Sequence, residues 1–340
     1  MRSFVFFFLV WPIVCRGLEL GWTASMSNWP FIAAIFHKPK DKDLPKLLCT
    51  GTIIDDLHIL TTEYCMVTPV NGKPPFQTPD VLKIWVGSGF RDIDNKEGGD
   101  AQLRDVSEVL LPSDQDLKKT IGIGKNNFTG GDGFVYRYLD FSILRLDKEI
   151  LYNKHVIPAR FDVRSYQDSQ KQYVPWKRKL DEEIDWIPDC FMAGWGYDET
   201  KIQKLHEKPN SQRLLFNRLK FTPRSKCDLA YCSNCSLCGN STEHLPNIYW
   251  CFSSQTWPDT CPGDHGAPLY CPWFGFQRGN IKTVGAIFGI LSGKPGTCNK
   301  ARVPGKFTAI WFAYNFIERV LNKGKFPPPI AELGDPDWAY

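Results

Sequence analysis

Asp259-Thr260-Cys261-Pro262-Gly263-Asp264-His265-Gly266-Ala267-Pro268-Leu269-Tyr270-Cys271 is the stretch around which the chain is organised. Its glycines and prolines punctuate a turn with a histidine at its centre, and an apolar run leads from the turn to a cysteine. Three further runs accompany it, two of them with the same mix of cysteine, glycine and apolar residues and one mostly apolar between an Asp and an Arg. They are Cys49-Thr50-Gly51-Thr52-Ile53-Ile54 with Ile59-Leu60-Thr61-Thr62-Glu63-Tyr64-Cys65, then Asp140-Phe141-Ser142-Ile143-Leu144-Arg145-Leu146, then Cys190-Phe191-Met192-Ala193-Gly194-Trp195-Gly196. A single run of this kind is weak; the whole set in this order is specific.

The set resembles the motifs of the chymotrypsin/trypsin-like serine proteases over roughly residues 18–322. The first stretch is similar to their nucleophile segment, Gly-Asp-Ser-Gly-Gly-Pro, with His265 in the serine position. The second is similar to Leu-Thr-Ala-Ala-His-Cys, with Tyr64 in the histidine position. Asp140 keeps the third place of the triad, and Gly263 keeps the oxyanion turn. The resemblance implies an all-β fold of two six-stranded antiparallel β-barrels facing each other across a cleft, with a C-terminal helix.

The implied chemistry is damaged. Acyl transfer by such a triad needs a hydroxyl nucleophile, a base that titrates near neutrality and an orienting carboxylate. His265 supplies no alcohol, and tyrosine, with a pKa of about 10, is a poor base at pH 7. A rescue with Tyr64 as nucleophile and His265 as base is the alternative enzymatic reading. Asp140, buried in such a fold, needs donors; the Tyr64 hydroxyl can be one, which makes Tyr64→Phe an expected destabilising change. His58, His37, His155, His206 and His244 match no catalytic position. Asp259 matches the aspartate at the base of trypsin's primary specificity pocket. Phe288-Gly289-Ile290 is placed against the family's Ser-Trp-Gly, so that Ile290 narrows the pocket mouth.

The resemblance also implies four disulfides: Cys49–Cys65, Cys190–Cys271, Cys227–Cys251 and Cys261–Cys298. Cys232, Cys235 and Cys238 remain. Their spacing, with His244 downstream, suits zinc; an extra disulfide plus one thiol is favoured over it, so no metal or other cofactor is expected. A leftover thiol can also link two chains. Sequons at Asn127, Asn234 and Asn240 make glycosylation expected there.

The 340 residues, with 43% hydrophobic and 14% aromatic, suit a globular chain with a large core. A net charge of +4 and the lack of a basic patch interleaved with aromatics argue against nucleic acid as a partner. Met1-Arg2 and the apolar run 4–14 read as a secretory leader, residues 1–17, too short to span a bilayer. No later run is long and apolar enough to span. Cleavage after Gly17 makes Leu18 the new N-terminus, and by resemblance its amine pairs with Asp264 without a zymogen step; cleavage after Cys15 leaves the terminus loose. A proline-rich tail, 323–340, follows the domain of 18–322.

Short β-rich runs at 31–36, 51–60, 81–87, 141–146, 213–222, 282–290 and 306–310, bounded by turn residues, argue for a sandwich or barrel. Phe312, Phe316 and Val320, with Ile317 and Leu321 beside them, carry a helical period. The long segments 112–138, 160–189 and 227–251 read as loops with room for function. The expected function is that of a secreted, non-catalytic protease homologue that binds extracellular proteins, such as active proteases or protease inhibitors. A disulfide-linked matrix protein is a third reading.

Overall fold

A strand that is apolar at successive positions has to be covered on both faces. The computed structural model describes residues 22–37, 45–66, 79–87, 101–113, 116, 140–159, 190–196, 213–232, 249–254, 260, 263–277, 280–293 and 304–321. After the short β1 (Trp22–Thr23), β2 (Ile32–His37) is such a strand. Ala33 and Ile35 enter the core of one barrel, while Ile32, Ala34 and Phe36 pack outward among residues of a second.

The first barrel adds β3 (Lys46–Ile53), β4 (His58–Thr61), β5 (Leu82–Val86), β6 (Gln102–Leu110) and β7 (Ser142–Leu146). It closes in the order β2-β3-β4-β7-β6-β5. The second contains β8 (Cys190–Gly194), β9 (Leu215–Thr222), β10 (Tyr249–Ser254), β11 (Pro268–Gln277), β12 (Asn280–Gly293) and β13 (Gly305–Ala309). It runs β8-β9-β10-β13-β12-β11 and returns to β8, with β1 added outside β9. All pairings are antiparallel, so closure leaves almost no free edge. Helix α1 (Arg224–Cys232) leads out of β9, and α2 (Ile310–Val320) follows β13.

Each barrel has its own core, built around Ile35, Ile59 and Leu144 in the first and Phe252, Phe288 and Phe307 in the second. Two further clusters glue the barrels together. One joins Trp29 and Phe31 to Trp195 and Tyr270; the other joins Ile54, Leu60 and Phe141 to Ile290 and α2. The buried stripe of α2 is Ile310, Ala313, Phe316 and Ile317, continued by Leu321, and Phe312 and Val320 only flank it. That is a rotation of the expected stripe by a fraction of a turn, because α2 packs onto the seam rather than onto one barrel.

Cys49–Cys65, Cys190–Cys271 and Cys227–Cys251 are bonded. The leader with Leu18, the tail, Asn127, Asn234, Asn240, Asp259, His206, the Cys261–Cys298 pair, Cys235, Cys238 and His244 lie outside the described residues, as does the side chain of Cys232.

One ion pair fastens the start of the 112–138 segment to α2. The Asp116 carboxylate accepts from Arg319 Nη2 at 2.8 Å and from the Ser113 N–H and hydroxyl at 2.7 Å each. Burial favours the neutral acid, but the bonds from Arg319 and Ser113 outweigh it and hold Asp116 below its ordinary 3.8. A depressed folded pKa stabilises above the unfolded value and loses that contribution as pH falls below it. Arg319→Met is therefore expected to cost about 1–2 kcal/mol at pH 7, discounted for the half-exposed guanidinium. In urea unfolding the difference from wild type should shrink below about pH 4.

Candidate functional site

Tyr64 sits in a 3-10 turn, Glu63–Met66, whose Cys65 is bonded back to Cys49 on β3. Asp140 lies two residues before the start of β7. His265 lies on the turn that feeds β11, opposite the first barrel. Thr50 of β3 holds that turn across the seam: its N–H donates to the His265 carbonyl and its hydroxyl to the Gly263 carbonyl, both at 2.9 Å. Gly263 and Gly266 have φ of 99° and 82°, which favour glycine. A Cβ at Gly266 would also collide with Thr61 Oγ1 and the Thr50 carbonyl. The turn is thus dictated by close approach of the two barrels.

Tyr64, Asp140 and His265 are brought together. Asp140 Oδ1 accepts the Tyr64 backbone N–H at 3.0 Å. The Glu63 N–H and the Ser292 hydroxyl also donate to this carboxylate. The Tyr64 hydroxyl does not, contrary to the sequence-based expectation. Its ring is instead 61% exposed and tilts over the His265 ring, with centroids 4.6 Å apart and planes at 34°. The main chain satisfies the carboxylate, so the phenol is free to face outward.

Charge at the site is shaped mainly by burial. It pushes Asp140 up to about 6, opposed by the Tyr64 N–H, the Lys306 charge, the Ser292 hydroxyl and the Glu63 N–H. It pushes His265 down to about 4, helped by the Lys306 charge. At neutral pH, His265 is an uncharged imidazole beside an ionised Asp140. A neutral imidazole can accept a proton, but no hydrogen bond joins it to the Tyr64 hydroxyl, and the two rings meet tilted at 34°. Transfer of the phenolic proton needs a different geometry.

Ile290 is not at a pocket mouth. It is fully buried in the cluster under α2, paired with Pro268 on β11 and with Thr308 on β13. A bulge between Leu291 and Gly293 leaves Ser292 without a Cα partner on β13. Bulges re-aim side chains, and here Ser292 is turned to Asp140 and to the Thr308 hydroxyl. Asp264 is buried and accepts the Gly196 N–H at 2.8 Å. His58 bonds Asp55 at the far end of β4, outside the site.

Sequence reasoning missed Ser292 and Lys306. The one signal for Lys306 was a charge inside the otherwise apolar run 306–310, which lone strand lysines do not make diagnostic.

The described residues thus form a double β-barrel in which Tyr64, Asp140 and His265 meet at the seam. The trypsin family model matches residues 21–317, and the chain belongs to that family. It is 23% identical over 292 residues to the serine protease grass of Drosophila melanogaster, covering 85% of this chain and 64% of that protein. It is 23% identical to a urokinase-type plasminogen activator of Gallus gallus, covering 89% of this chain and 57% of that protein. It thus spans less than two-thirds of those two relatives. Human kallikrein-8 is 22% identical, with coverage of 86% and 82%. Among solved structures, neuropsin, a serine protease expressed in the limbic system of mouse brain, superposes with a TM-score of 0.56 at 17% identity, covering 89% of this chain and 99% of that one.

Two substitutions separate these assignments. Tyr64→Phe should leave the urea midpoint nearly unchanged, within about 0.5 kcal/mol. Ile290→Ala should cost about 2–5 kcal/mol as a core truncation; a residue gating a pocket mouth would be tolerated.

Proposed function

We propose that this family member has lost catalysis and works by binding other extracellular proteins, foremost active proteases or their inhibitors. The observation that carries the reading is the His265–Tyr64 ring pair. The nucleophile position holds an imidazole with no alcohol, and the hydroxyl of the Tyr64 ring that tilts over it is not bonded to it. In proteases of this mechanism, loss of nucleophile or base costs on the order of a million-fold in turnover. The outward face of Tyr64 supports binding, since an exposed tyrosine over a structured cleft is a common contact anchor.

Secretion and glycosylation belong to the same reading and are supported by the apolar leader 4–14, the sequons and the three disulfides.

The test is labelling with a serine-directed fluorophosphonate and hydrolysis of a peptide library by pure protein, with His265→Ala and active trypsin as controls. No labelling and no hydrolysis above the His265→Ala background are expected, together with saturable binding to a trypsin-like protease or a protein protease inhibitor. Peptide cleavage that disappears in His265→Ala would overturn the reading and point to the imidazole as base.

A further inference from the structure

A net charge of +4 conceals how unevenly the charge is placed. β9 is paired with β1, β8 and β10, and none of these strands contains an Asp or Glu. The run 213–227, which makes β9 and enters α1, carries Arg213, Arg218, Lys220, Arg224 and Lys226, again with no acid. Strand alternation decides where the charges of β9 go. Asn217 and Leu219 are buried, while Arg218 and Lys220 stand exposed on the outer face. Ser253 on β10 is the register partner of Lys220, and its hydroxyl meets that of Thr222 at 2.7 Å. Next comes the first turn of α1, with Lys226 exposed. The Cys227–Cys251 bond fastens that turn to β10.

We propose that this outer face of the second barrel binds a sulfated polysaccharide of the glycosaminoglycan type. Like charges held side by side on a rigid strand attract a polyanion, which gains further by releasing its own counter-ions. Positions 218 to 222 span about 13 Å of extended strand. The cations therefore lie in a line, which suits a linear chain better than the flat surface of a membrane. Between Lys220 and Lys226 the outer face offers the hydroxyls of Thr222 and Ser253, while the Phe221 ring packs against the barrel core. Hydroxyls and ammonium groups suit sulfate and sugar, whereas single-stranded nucleic acid is held by aromatic rings on which its bases stack. The inference rests on the extracellular setting of the proposed function for the choice of polyanion, and on nothing in the cleft.

The test is binding of a fluorescein-labelled heparin oligosaccharide to the full chain, read by anisotropy over a series of salt concentrations. Saturable binding is expected, with log Kd rising linearly with the logarithm of salt concentration. Lys220→Ala/Lys226→Ala should weaken binding on the order of tenfold and lower the salt slope by roughly two. Lys148→Ala/Lys154→Ala removes the same charge from exposed positions on the first barrel and should leave binding unchanged. All of these lysines are exposed, so both variants should keep the wild-type urea midpoint. No binding of the oligosaccharide, or equal losses in the two double variants, overturns the proposal. Tighter binding of oligothymidylate or of phosphatidylserine vesicles than of the oligosaccharide overturns it as well. Neither pair of lysines touches the cleft, so such a result leaves the inhibitor-binding test of the proposed function standing.

Discussion

A carboxylate placed on the seam between two barrels has to find donors on both sides, and the rest of the site follows from how Asp140 does so. The first barrel offers the N–H groups of Glu63 and Tyr64, held by a 3-10 turn that the Cys49–Cys65 bond ties to β3. The second offers the Ser292 hydroxyl, presented by a bulge in β12. Because the backbone does this work, the side chain at position 64 is released from it. A tyrosine can then replace a histidine there without leaving the carboxylate bare.

Proton placement follows from the same enclosure. A carboxylate whose folded pKa is raised from 3.8 to about 6 stabilises the fold at low pH and loses that contribution as pH rises through 6. An imidazole lowered from 6.5 to about 4 does the reverse: its contribution is present above 6.5 and is lost as pH falls through 4. Between about 4 and 6 the two trends oppose each other. Folding there moves a proton from imidazole to carboxylate with little net uptake. At neutral pH the imidazole is neutral and the carboxylate ionised, the resting arrangement of a triad in charge though not in residue type.

What keeps these groups at fixed separation is apolar packing. The two seam clusters, with Trp29 and Trp195 on one side and Phe141, Ile290 and Phe316 on the other, set how the barrels meet. Thr50 then ties the His265 turn to β3 with two hydrogen bonds. Each large buried side chain in these clusters contributes roughly 1.5–3 kcal/mol. The stability of the seam therefore rests mainly on these clusters rather than on the polar residues of the site.

The double barrel and three bonded cysteine pairs could be read from the sequence, because its short motifs resemble those of a family whose fold and bridges they imply. Beyond that the reading slipped in particular places. Ile290 was set at a pocket mouth because Phe288-Gly289-Ile290 looked like the nearest match in a strand of repeated apolar and glycine residues, and the bulge at Ser292 is invisible to spacing. The Tyr64 hydroxyl was given to Asp140 because residue type names a donor but does not say which way it points. Motif and composition, being local and covalent, already specified the scaffold. The meeting of 140 and 292 was settled by strand register and by the packing of one barrel on the other, since those depend on long-range contact energies that no local spacing encodes.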